Sequence, residues 1–149
     1  MQAELSYELT REVMATADTF LRESQRLFRP HGLTAAQYNV LSVLAAAADG
    51  LSQRELGDIL VVDRSNITGL LDRLEKAGLV KRTDHPSDRR IYRVSLTSAG
   101  RKLWAKVQPR YLKVTEQVTA GLREKQARDA IAVLKSLQAG AASWRLPEN

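Results

Sequence analysis

His31 and His85 are the only imidazoles in the chain, and there is no cysteine. Acid–base, thiolate and zinc chemistry therefore have few parts to work with. The carboxylates fall mostly on amphipathic helices or at helix caps, and no glycine loop resembles a phosphate cradle. No catalytic or metal-ligating set is read, no cofactor is expected, and the chain does not read as an enzyme. The sequence instead offers short polar side chains early in one helical segment, Ser65, Asn66 and Thr68, with Arg73 further along it. A second group, Arg89 and Arg90, follows in a turn-rich stretch. Short polar groups near a helix start can reach base edges in a major groove. The helix N-terminus itself favours a nearby phosphate. Paired arginines on a loop suit a narrow, electronegative minor groove.

The chain that must position these groups has 149 residues, enough for one domain or two small lobes. Hydrophobic residues make up 44% and charged residues 27%, ordinary globular usage that argues against disorder. Aromatic residues are only 5%, so the core must be aliphatic. No apolar run approaches the roughly 20 residues that span a bilayer. The start, Met1-Gln2-Ala3-Glu4, does not read as a signal peptide. A cytoplasmic protein with no membrane partner is expected. Lysine and arginine number 23 against 17 acids, a net charge of +6 that points to a polyanionic partner, nucleic acid first. Residues 101–128 carry 8 of the basic groups and 2 acids. That excess reads more simply as a solvated helix face than as a second binding surface.

Apolar residues at three- and four-residue steps predict a long first helix over residues 4–29, stopped by Pro30, His31 and Gly32. Thr34 and Gln37 form a capping box for a second helix ending near residue 48. Ser52 and Glu55 form another, opening a short helix over 53–60. Asp63 caps the next helix, 64–77, whose Ile67, Leu70, Leu71 and Leu74 make one apolar stripe. With that stripe inward, Ser65, Gly69, Asp72 and Lys76 project roughly opposite it, flanked by Thr68 and Arg73. Gly78 stands where a left-handed helix terminator belongs. Residues 79–82 and 91–96 read as a hairpin around a turn at 84–88. Thr97 caps a helix over 98–122, in which Pro109 predicts a kink, and a last helix covers 124–142. The fold class is mainly α with a small β-hairpin wing (α+β): a winged helix-turn-helix over 33–97. Residues 1–32 and 98–149 supply long N- and C-terminal helices, expected to form a two-fold dimer interface.

Four runs, in order, resemble the MarR (multiple antibiotic resistance regulator) family. They are Leu33-Thr34-Ala35-Ala36-Gln37-Tyr38-Asn39-Val40-Leu41; Leu51-Ser52-Gln53-Arg54-Glu55-Leu56; Val62-Asp63-Arg64-Ser65-Asn66-Ile67-Thr68 with its continuation Asp72-Arg73-Leu74-Glu75-Lys76-Ala77-Gly78-Leu79-Val80; and Asp88-Arg89-Arg90 before Val94-Ser95-Leu96-Thr97-Ser98-Ala99-Gly100-Arg101. The resemblance covers about residues 33–103, and the outer helices match in pattern only. It implies a homodimeric bacterial transcriptional regulator, a repressor, binding double-stranded DNA at a pseudo-palindromic operator. Carried over by position, Ser65, Asn66 and Thr68 approach bases. Arg64 and Arg73 hold phosphate or base edges, and Arg54 of the preceding helix joins them. Arg90 becomes the wing-tip arginine, oriented by Asp88 and accompanied by Arg89; the plainer reading is an exposed turn pair. Gly69 departs from the pattern, where the family often has a basic residue. It reads either as room for close backbone approach to DNA or as tolerated drift.

The resemblance also implies a small aromatic or phenolic effector. Arg29, His31 and Tyr38, a cation, an imidazole and a phenol, surround the first helix junction. The structural reading of the three is the stronger one: a helix C-terminus for Arg29, a turn for His31 and a core position for Tyr38. The contrasting functional class is a winged helix without an effector, serving architectural DNA binding or protein–protein contacts.

Overall fold

The computed structural model describes residues 2–60, 64–84 and 92–145, with backbone alone at 64 and 65. The elements run α1 (Ala3–Phe28), a 3-10 turn (Arg29–His31), α2 (Ala35–Ala46), β1 (Leu51–Ser52), α3 (Gln53–Ile59), α4 (Arg64–Lys76), β2 (Val80–Asp84), β3 (Tyr92–Leu96), α5 (Ser98–Thr119) and α6 (Glu124–Ser143). The chain divides into two compact units, Met1–Tyr111 and Leu112–Asn149. The fold is mostly helical, with a three-stranded antiparallel sheet in the order β1-β3-β2.

In the first unit, local chemistry sets the helix starts. The Thr34 hydroxyl accepts from the Gln37 N–H at 3.1 Å, and the Gln37 carboxamide accepts from the Thr34 N–H at 2.8 Å. Ser52 and Glu55 repeat this reciprocal pair at 3.2 and 2.7 Å. Each box satisfies two N–H groups that a helix start would otherwise leave open. Gly78, at φ +70°, ends α4 in the left-handed region that a side chain disfavours. The core gathers Val40, Leu41 and Leu44 of α2, Leu56 of α3, and Ile67, Leu70, Leu71 and Leu74 of α4. Val80, Val94 and Leu96 join it from the sheet, and Phe28 and Val107 from the long helices. Phe28 stacks on Tyr38 with ring centroids 4.4 Å apart, and Tyr111 meets Tyr38 edge-on at 5.0 Å.

The wing is fastened at its base. Thr97 donates from its N–H to the Leu79 carbonyl at 3.1 Å and from its hydroxyl to that of Gly78 at 2.6 Å. The same hydroxyl accepts from the Gly100 N–H at 3.0 Å, which caps α5. There the helix comes so close to Leu79 that a Cβ on Gly100 would stand 1.9 Å from its carbonyl oxygen. The Thr97-Ser98-Ala99-Gly100 run is thus a lock between the α4–β2 turn and α5.

The second unit contains the end of α5 and α6. Helix α6 buries none of its described residues within the chain; Ile131, Val133 and Leu134 are exposed. None of the described helices is long and apolar enough to cross a membrane.

The element boundaries depart from expectation in small ways. Helix α2 ends at Ala46, two residues early, and α5 ends at Thr119, before the Ala120–Gly121 turn. Helix α5 continues through Pro109 as one element. The first wing strand runs to Asp84 because Thr83 and Asp84 keep register with Arg93 and Tyr92. Strand β1 was not expected: two residues carry no alternation, and only the pairing of Leu51 with Val94 makes a strand of them. Asp63 and His85 lie outside the described residues.

Candidate nucleic-acid interface

The α4 helix has two faces. Ile67, Leu70, Leu71 and Leu74 are at most 5% exposed, fixed against the core. Asn66, Thr68, Asp72, Arg73 and Lys76 are exposed or half-buried on the other side, and Gly69 lies among them. The sequence periodicity therefore places the polar set outward, as a DNA-reading helix requires. Arg64 and Ser65 open α4 in its first turn. Helix α3 packs beside it, with Arg54 exposed. The Gln53 carboxamide donates to the Thr68 hydroxyl at 2.6 Å, which leaves the hydroxyl proton free to point outward. A hollow of about 250 Å³ between these helices is lined by Gln53, Arg54, Gly57 and Ile67.

Strands β2 and β3 pair in register from Val80 with Leu96, through Arg82 with Val94, to Asp84 with Tyr92. Asp88, Arg89 and Arg90 lie outside the described residues. A Cβ on Gly69 would meet nothing within 4 Å. No packing contact among the described residues therefore demands glycine there.

The three residues considered for an effector do not share an environment. Arg29 is exposed and His31 partly exposed in the 3-10 turn. Tyr38 is 2% exposed, inside the aromatic stack with Phe28 and Tyr111. Burial pushes its phenol above the usual tyrosine range; a hydrogen bond with Ser42 pulls the other way, and Tyr111 adds to the rise.

Two arginines that sequence reasoning passed over hold this region together. Arg93 of β3 donates from Nε to the Asp49 carbonyl and from Nη2 to the Gly50 carbonyl, both at 2.9 Å. Arg82 of β2 pairs with Asp72 at 2.6 Å and with Glu75, both on α4. Burial works against its charge, but the bonds to Asp72 and Glu75 outweigh that and raise its pKa. The period-2 alternation held the signal: Val80 faces inward, so Arg82 shares its face and turns toward α4.

A family model described as the MarR family matches residues 31–91. A regulatory protein assigned to the hcr operon of Thauera aromatica is 31% identical over 92% of this chain and 80% of its own length. The chain spans between 43% and 59% of five other curated relatives, one of them named as a transcriptional activatory protein. Among solved structures, a mutant MarR from Escherichia coli complexed with operator DNA is 28% identical, with a TM-score of 0.78 over 87% of this chain and 93% of that one. CouR from Rhodococcus jostii RHA1, bound to p-coumaroyl-CoA, is 29% identical, with a TM-score of 0.80 over 99% of this chain and 100% of that one.

Proposed function

Because the chain belongs to the MarR family of DNA-binding transcriptional regulators, we propose that it acts as a homodimeric, sequence-specific repressor on a pseudo-palindromic operator. The observation that carries this reading is the two-faced α4: an apolar stripe at most 5% exposed, and Asn66, Thr68 and Arg73 exposed along its flanks. Ser65, Asn66 and Thr68 meet base edges in the major groove. Arg54, Arg64 and Arg73 hold phosphates or base edges. Arg90, with Arg89 beside it and Asp88 orienting its guanidinium, enters the flanking minor groove. A carboxylate that fixes a long flexible arginine lowers the entropy lost on binding.

Residues 33–97 form the DNA-binding domain in this reading, and 1–32 with 98–149 the dimerisation region. The exposed apolar side chains support it: Leu5, Phe20 and Leu21 on α1, Val118 on α5, and Ile131 and Leu134 on α6. A second copy would cover them, and two-fold symmetry would present two α4 helices to half-sites roughly 34–36 Å apart. A small aromatic or phenolic effector releases the DNA, with Arg29 and His31 as its candidate contacts; Tyr38, buried in the stack with Phe28 and Tyr111, would have to leave that stack to join them. CouR's aromatic acyl thioester supports that chemical class. Action on DNA assigns the protein to the cytoplasm.

Genomic footprinting tests the reading. A pseudo-palindromic site with two protected half-sites one turn apart is the expected result. Binding with a steep salt dependence and no preferred sequence would make the protein architectural. Absence of DNA binding at low salt would make it a protein-contact module.

A further inference from the structure

The geometry points to Arg82 as a positioning residue that braces the wing against the recognition helix, without itself touching DNA. Strand β2 lies at the edge of the sheet, since the strand order is β1-β3-β2. An edge strand has outward N–H groups with no ladder partner. At Arg82 that N–H donates to Glu75 Oε1 at 3.2 Å. The Arg82 guanidinium then donates from Nη1 to Glu75 Oε2 and from Nη2 to Asp72 Oδ1, the latter at 2.6 Å. Three bonds from one strand residue therefore end on two carboxylates of α4.

Asp72 and Glu75 stand three residues apart on the helix, so their carboxylates are neighbours on its surface. The planar fork of arginine can bridge two carboxylates at fixed angles, which the point charge of lysine cannot. The Arg82 side chain is only 21% exposed, whereas those of Asp72 and Glu75 are 58% and 39% exposed. Its guanidinium thus faces the helix. Two positions further along β2, Asp84 pairs with Tyr92 at the last described rung before residues 85–91, among which are Arg89 and Arg90. The brace therefore joins the recognition helix to the strand from which the segment with Arg89 and Arg90 continues. This rests on the reading above, in which α4 and the wing share one duplex. It assigns Asp72 and Glu75 to the brace as well.

Salt dependence separates a brace from a group that binds phosphate. Removing one phosphate-binding cation reduces the slope of log K against log [salt] by about one unit, whereas removing a positioning group leaves the slope in place. Operator binding by Arg82→Gln, measured over a salt series, is expected to weaken about tenfold with the wild-type slope. Footprint protection should fade at the minor-groove flanks and persist at the half-site centres. Arg82→Lys, the variant that keeps the charge should the glutamine variant fold poorly, should weaken binding less and also keep the slope. The double variant Asp72→Asn, Glu75→Gln should weaken binding similarly, and adding Arg82→Gln to it should change little further, because one unit is being removed.

A DNA-free readout keeps the brace testable even where the operator reading fails. In the intact protein, amide hydrogen exchange across β2–β3 should quicken in Arg82→Gln while α1 and α2 keep their protection. A slope reduced by one unit would make Arg82 a phosphate ligand. Tighter binding by the Asp72, Glu75 double variant would make the carboxylates simple repellers of DNA. Unchanged affinity together with unchanged β2–β3 exchange would dismiss the brace. A wild-type protein with no sequence preference would sink the operator reading, leaving the exchange result to judge the brace alone.

Discussion

Gly69 has open space where a Cβ would stand, so alanine there removes the helical cost of glycine, about 1 kcal/mol, without a clash. Gly69→Ala should raise the melting temperature by about 2–4 °C. If the bare backbone serves close approach to DNA, operator affinity should fall in the same variant; unchanged affinity in a titration would leave Gly69 with no part in binding. Gly100 is the opposite case. Its Cβ would collide with the Leu79 carbonyl, a backbone atom that cannot rotate away. Gly100→Ala should destabilise the chain by about 3 kcal/mol, read from the urea midpoint. Tyr38 sets a pH dependence. Its folded pKa is raised above the ordinary 10.0, chiefly by burial, so the unfolded chain ionises first. That contribution is complete below pH 10.0 and is lost as pH rises through the folded value. Tyr38→Phe should flatten the fall in stability above about pH 10, measured by urea unfolding at each pH.

At the scale of elements, the recognition helix was legible because burial follows period 3.6. A stripe of Ile67, Leu70, Leu71 and Leu74 dictates which side chains remain outside. Both capping boxes were legible for the same local reason: donor and acceptor lie three residues apart. Strand β1 and the Arg93 bonds were not legible, since each joins residues far apart in the chain, whereas the alternation from Val80 already turned Arg82 toward α4. For the wing, whose tip lies outside the described residues, the expectation is functional. Arg90→Ala should lose affinity chiefly at minor-groove positions of the operator while the major-groove footprint stays. An identical footprint for both proteins would remove the wing from the mechanism.

At the scale of the molecule, the apolar side chains left uncovered on α1, late α5 and α6 argue for a second copy. Sedimentation at micromolar concentration should give a dimer, and Leu134→Glu should shift it toward monomer by placing a charge in the apolar contact. A wild-type monomer would defeat the half-site geometry along with the dimer. Helix periodicity, capping chemistry and the glycine terminator at Gly78 are local, so the amino-acid order alone settled the helices and the outward face of α4. The third strand, the meeting of Tyr38 with Tyr111 and the bonds from Arg93 to Asp49 and Gly50 were decided only by the tertiary structure. Each depends on how distant segments approach once the core has closed, and that distance is not encoded in any short window of sequence.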